Sequence, residues 1–320
     1  MRRIAGVVAC FALVISGSGA LASDGYTFPG DAPYSVPKDK MDKALACRNG
    51  DRSSPQSAGA LDGTGRDQPV LLVHGTGTTR RQNWGWNYWQ VLPKRGFEVC
   101  WVQLPEASLG DIQVSSEYVA RAVQVMAGKS KEKIDVLGHS QGGLQPRWAI
   151  KWFPSGPSVG DYIALAAPNH GTDVSTGSTV TGGCFPSCWQ MRPTSKFIAA
   201  LNRGDETPGR IHYTSIYTTT DELVQPTGTQ ALEGAVNILI QDVCPGRPVD
   251  HASIAGDGFT YEVVLDALTH RGPANLDRLP ADVCERTTMP GTSGPPPGSA
   301  PDYTSGSITD HEPPLKPYAR

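Results

Sequence analysis

Apolar residues along this chain fall into short runs separated by stretches of helical spacing. Pro69-Val70-Leu71-Leu72-Val73 is apolar without a break, the pattern of a strand buried on both faces. Further strands are predicted at 98–104, 134–137, 161–166, 211–217 and 237–240. Over 115–127 the period changes, and Tyr118, Val119, Ala122, Val123 and Met126 share one helical face. Stretches 142–153, 194–201 and 259–268 also read as helices. Strands alternating with helices predict an α/β fold, with a mostly parallel central sheet flanked by helices on both faces. Such a sheet carries its site at the carboxyl ends of its strands. His74-Gly75-Thr76, Ser140, Asn169-His170 and Asp221 all fall at predicted strand ends. Residues 23–66, rich in Gly, Pro, Ser and Asp, predict an irregular arm, and 287–311 predict a Pro/Gly/Ser-rich irregular segment.

Composition narrows the class. Arg2 and Arg3 precede an apolar stretch from Ile4 to Ile15, and Ala20-Leu21-Ala22 fits a small-x-small cleavage site. Residues 1–22 therefore read as a signal peptide cleaved after Ala22, and 23–320 as a single secreted domain. No later run approaches a membrane span. The net charge of −3 and the absence of a basic block exclude a nucleic-acid partner. Seven cysteines minus Cys10 of the signal leave an even six, which in an exported protein reads as three disulfides. Their spacing does not suggest a metal site, and no cofactor motif is present.

The candidate chemistry begins at Gly138-His139-Ser140-Gln141-Gly142. This G-x-S-x-G follows the strand at 134–137 and precedes the helix at 142–153. A serine on a crowded strand-to-helix turn needs small residues on either side and projects its hydroxyl clear of the sheet. Ser140 is the candidate nucleophile, and the N–H of Gln141 is one candidate oxyanion donor. The glycine-rich Gly75-Thr76-Gly77 loop supplies the second, at Thr76. In serine hydrolases of this topology the chain order is Ser, acid, His. That order selects His251 from seven histidines as the base, and Asp221 over Asp242 and Asp250 as its partner. Glu222 is expected to point elsewhere, and His74 to be structural.

Longer segments carry a resemblance. VLLVHGTGTT, EVCWVQLP, QVSSEYV, SQGGLQPRWAIKWFPS, WQMRPTSKFIAALN, TTTDELVQP, VDHAS and EPPLKPYAR are similar to the Candida antarctica lipase B family of α/β-hydrolases. The likeness runs from about Cys47 to Arg320. It implies the α/β-hydrolase fold, a Ser140–Asp221–His251 triad, and Thr76 and Gln141 as the oxyanion hole. It also implies disulfides Cys47–Cys100 and Cys244–Cys284, which leaves Cys184–Cys188 as the third pair. Two positions depart from the family. His139 stands where its namesake has tryptophan, and Asn169 where it has an acid. Both are expected in the substrate pocket, with Leu223 and Val224.

The expected activity is that of a secreted serine lipase or carboxylesterase acting on triacylglycerols without a cofactor. The expected partners are an ester or lipid substrate and a lipid–water interface, and the expected state is monomeric. A short-chain esterase, a polyester depolymerase and an acyltransferase share this machinery. A non-catalytic exported binding protein is the rival from another class, and the complete Ser140, Asp221 and His251 set argues against it. Residues 172–190 read equally as a flap over the site or a surface loop. Trp84, Trp86 and Trp89 are expected to pack beneath the oxyanion loop rather than meet lipid.

Overall fold

Seven strands form one sheet: β1 (Leu45–Arg48), β2 (Val70–Val73), β3 (Val99–Val102), β4 (Ile134–His139), β5 (Val159–Leu165), β6 (His212–Tyr217) and β7 (Val236–Leu239). The structure, a computed structural model, describes residues 30–51, 53, 68–180, 183–292, 294–295 and 297–320. The predicted signal segment lies outside them. The strand order is β1-β3-β2-β4-β5-β6-β7. Strands β2 to β7 pair in parallel, and β1 runs antiparallel to β3. No helix among the described residues is long and apolar enough to cross a membrane.

The unbroken apolar runs are explained by two cores, one on each side of the sheet. Alternate residues of a strand point to opposite faces. Leu71 and Val73 of β2 join Val136, Tyr162 and Ala164 on one side, against helices Ile112–Ser130, Leu144–Trp152 and Lys196–Leu201. Val70 and Leu72 join Leu137, Ile163 and Ile216 on the other, against Trp84, Tyr88 and helix Gly258–Thr269. Both faces are covered, so every β2 residue is buried and polar alternation is absent.

The arm at 23–66 is not irregular throughout. Helix Lys38–Ala44 leads directly into β1, whose residues face Val99 to Val102 across an antiparallel ladder. The helix buries Met41 alone, and β1 is half exposed. Neither carries a periodic apolar signal. They are held instead by distant groups: the Glu117 carboxylate accepts the N–H of Ser35 and of Val36 (2.7 and 2.9 Å), and Cys47 is bonded to Cys100 of β3. Cys244–Cys284 and Cys184–Cys188 are the other two disulfides. Within 287–311 the backbone makes isolated pairings, Asp257 with Thr288 and Cys184 with Thr309.

Candidate active site

Parallel β2, β4, β5 and β6 all end on the same edge of the sheet. At the end of β4 the chain turns sharply through Ser140, whose φ of 58° is left-handed. A residue with a side chain adopts this conformation at a cost of about 1–3 kcal/mol, and such strain collects at functional sites. The flanking glycines are dictated by contact. A Cβ on Gly138 would lie 2.2 Å from the Gly142 carbonyl oxygen, and one on Gly142 would lie 2.3 Å from that of Val73. The turn thus presses against the end of β2, and Ser140 lines a cavity of about 490 Å³, a typical size for a small-molecule site.

The loop after β2 closes on Ser140 from the other side. A Cβ on Gly75 would lie 3.0 Å from the Ser140 Cβ. The Gly75 N–H donates to Asn83 Oδ1 (2.9 Å), and the Gly77 N–H donates to the Ala107 carbonyl (2.8 Å). Thr76 lies between these two anchors and lines the cavity. A capping box between Thr79 and Gln82 ends the loop in helix Arg80–Trp84. His74 is buried beneath it, where its Nε2 accepts the Leu104 N–H (3.0 Å) and burial pushes its pKa down to about 4.

Asp221 and His251 come from loops 30 residues apart and meet at the cavity. Asp221 Oδ1 accepts the N–H groups of Leu223 and Val224 (both 2.8 Å), and Oδ2 lies 2.9 Å from His251 Nδ1. The Asp221 side chain is fully enclosed and that of His251 almost so. Thr218 and Thr220, just after β6, both donate to the Val249 carbonyl (2.8 and 2.7 Å), tying the aspartate turn to the histidine loop. Farther along that loop, the buried Arg247 Nη2 lies 2.6 Å from Asp257 Oδ2, and Cys244–Cys284 closes its base.

The backbone of His251 is gripped on both sides. Its N–H donates to Glu222 Oε2 (3.1 Å), and its carbonyl lies 2.8 Å from His139 Nε2. Glu222 therefore points away from the imidazole, as expected, and holds the peptide instead. Both nitrogens of His139 face oxygens, since Nδ1 lies 3.1 Å from Asn83 Oδ1. A neutral ring donates to only one of them, and the fixed His251 carbonyl places the proton on Nε2. Burial and then the neighbouring His251 push the His139 pKa down to about 3. The contacts of His139 and Glu222 carry no sequence signal, because their partners are remote in the chain.

The other pocket expectations divide. His139, Leu223 and Val224 line the cavity. Asn169 does not. It is fully buried behind Pro168 and Thr172, where its Nδ2 donates to the Gln230 carbonyl (2.7 Å) and its Oδ1 faces the Arg147 guanidinium. A buried cation at that position makes Asn169 a structural polar group rather than a wall. Segment 172–190 does reach the site: helix Asp173–Val180 and the Cys184–Cys188 pair contribute Val174, Ser178 and both cysteines to the lining. Trp84 is buried edge-on to Tyr88 and His139, and Trp89 stacks on Trp101 at 3.7 Å. Trp86 alone of the three reaches the cavity. Sequence reading overlooked the far wall, formed by Pro295, Ser299, Pro301 and Tyr303. Their segment is irregular, and its one legible mark was composition.

Comparison with known proteins agrees with this architecture. The family model of class 2 lipases matches residues 67–243. Lipase B of Pseudozyma antarctica is 31% identical over 309 residues, covering 91% of this chain and 87% of its own. The crystal structure of Aspergillus fumigatus lipase B superposes with a TM-score of 0.77 at 30% identity, covering 94% of this chain and 76% of that one. A Bacillus licheniformis lipase in mature form, 15% identical with a TM-score of 0.56, covers 70% of this chain and 98% of its own, and shares the fold. The chain belongs to the class 2 lipase family, and is a carboxylic ester hydrolase of the α/β-hydrolase fold.

Proposed function

We propose that this protein is a secreted serine lipase that hydrolyses triacylglycerols through an acyl-enzyme. Ser140 Oγ attacks the ester carbonyl while His251 Nε2 takes its proton. Asp221 holds Nδ1 of the same ring and stabilises the imidazolium that forms. The oxyanion is received by the N–H groups of Thr76 and Gln141. The tetrahedral adduct collapses, and the alcohol leaves with the proton from His251. Water then attacks the acyl-serine, giving up a proton to His251, and the fatty acid departs as Ser140 recovers it.

The observation that carries this reading is the convergence of a strained serine turn and a buried, doubly anchored Asp221–His251 pair on one cavity. The Leu223 and Val224 N–H bonds to Asp221 fix the carboxylate where it meets His251 Nδ1. Three disulfides support export to an oxidising compartment, following removal of residues 1–22. The mature chain is then a single secreted domain. The test is hydrolysis of tributyrin and of a long-chain triglyceride emulsion by the mature protein and by Ser140→Ala. Turnover of both substrates, lost in the variant, is expected. Turnover of tributyrin alone would make the protein an esterase, and an active Ser140→Ala would overturn the assignment of the nucleophile.

A further inference from the structure

Three consecutive residues with side chains, Glu106, Ala107 and Ser108, sit in the left-handed region with φ of 51°, 49° and 66°. Single residues visit this region at turns, but a run of three without glycine is disfavoured at each step and persists only where its surroundings hold it. Ala107 and Ser108 touch the two halves of the oxyanion hole. The Ala107 carbonyl accepts the N–H of Gly77, the residue after Thr76 (2.8 Å). The Ser108 hydroxyl donates to the side-chain oxygen of Gln141. Gln145 Nε2 donates to both Ser108 Oγ (3.0 Å) and Gln141 Oε1 (2.9 Å), closing a triangle in which all three side chains are fully buried. Ser187 locks the far side through its hydroxyl to the Ser108 carbonyl (3.0 Å).

We propose that this left-handed run is the positioning element of the oxyanion hole, and that Ser108 is the positioning residue that orients Gln141. The inference rests on the reading of Thr76 and Gln141 given above. None of the three residues lines the cavity, so the run acts through the donors and not on substrate. Because adjacent residues hold the two halves, the distance between the donors is set by one short stretch of backbone. A right-handed turn over the same residues would aim the Ala107 carbonyl and the Ser108 hydroxyl elsewhere.

The proposal separates stability from activity at a single position. Glycine at 108 relieves the backbone strain but deletes the hydroxyl. Ser108→Gly is expected to keep or raise Tm while kcat on tributyrin falls about tenfold or more, short of the loss from deleting a donor outright, with KM within about twofold. Ser108→Ala, which keeps the Cβ, is the second variant if glycine does not fold, and carries the same kcat expectation. An unchanged kcat in folded protein, a change confined to KM, or a kcat loss that merely follows a fall in Tm would each overturn the role. Ser140→Ala run alongside keeps the two failures apart. If it is inactive while Ser108→Gly is fully active, the positioning role fails and the nucleophile stands. If it is active, the reading of the site itself fails, and the positioning role with it.

Discussion

The glycines around Ser140 are fixed by contact distances, and these make sharp predictions. Gly75→Ala would place a Cβ 3.0 Å from the Ser140 Cβ and 3.2 Å from the His139 carbonyl oxygen. The side chain of the serine must shift to admit it. A displacement of the reacting atom lowers kcat/KM by about 100-fold, with Tm changed by a few degrees at most. At Gly142 the obstacle is backbone, 2.3 Å away at Val73, and neither partner can give. Gly142→Ala is expected to cost about 4 kcal/mol or more and to leave little folded protein, as read by yield and circular dichroism. The need for small residues here was legible in the sequence, because G-x-S-x-G is a local pattern with a local cause. The tethering of His139 was not, because the His251 carbonyl that its Nε2 meets lies 112 residues away. The departure from the family's tryptophan points to the pocket, and the ring is both a pocket wall and a strut. His139 and His74 also set a pH response. Each is neutral in the fold, with its pKa pushed from 6.5 to about 3 and about 4. Between those values and 6.5 the unfolded chain binds protons that the folded one does not. Stability contributed by each group is therefore complete above about 6.5 and is lost as pH falls, by up to about 1.4 kcal/mol per pH unit. Denaturant titrations from pH 7 to 4 are expected to show falling unfolding free energy, with a shallower slope in His139→Gln.

Among elements, those that announce themselves are the ones buried on a regular period. β2, β4 and β5 are buried at every residue, and helix Ile112–Ser130 shows its apolar face plainly. β1 escaped notice because its four residues are half exposed and its pairing partner is 53 residues away. Removing the cross-link with Cys47→Ala and Cys100→Ala together is expected to lower unfolding free energy by up to about 4 kcal/mol, the chain-entropy value for a loop of this length. Urea titration of the oxidised wild type and the double variant measures it. The turn after β6 makes a different kind of prediction. Thr218 and Thr220 hold Val249 and thereby the height of His251 over the cavity. Thr218→Val with Thr220→Val is expected to lower kcat about tenfold or more while leaving KM nearly unchanged, because substrate touches neither hydroxyl. Steady-state kinetics on tributyrin separates the two constants.

In the whole molecule the last residues return to the first core. Tyr318 packs against Trp152 and Phe153 with ring centroids 6.1 and 5.7 Å apart, and Ala319 is fully buried. The Glu312 carboxylate accepts the N–H groups of Lys196 and Phe197 (2.9 and 2.8 Å), capping helix Lys196–Leu201. Deleting 312–320 removes a half-buried aromatic, the buried Ala319 and a cap together, and is expected to cost about 3–5 kcal/mol in a urea titration. On the way to this anchorage, the chain passes the mouth of the cavity. There it is secured at points: Thr292 to the Trp86 carbonyl (2.8 Å), Gly298 to Gln82 Nε2 (3.1 Å), and the Asp302 N–H to the Gly77 carbonyl (2.6 Å). Pro295, Ser299, Pro301 and Tyr303 make up one wall of the cavity without belonging to the sheet, to either core or to the proposed triad. With both ends pinned, this stretch is an exchangeable part: a library of replacement segments of varied length and bulk, each keeping the Asp302 N–H on the Gly77 carbonyl, could be grafted between Thr292 and Glu312 to retune substrate preference while the chemistry behind it stays untouched.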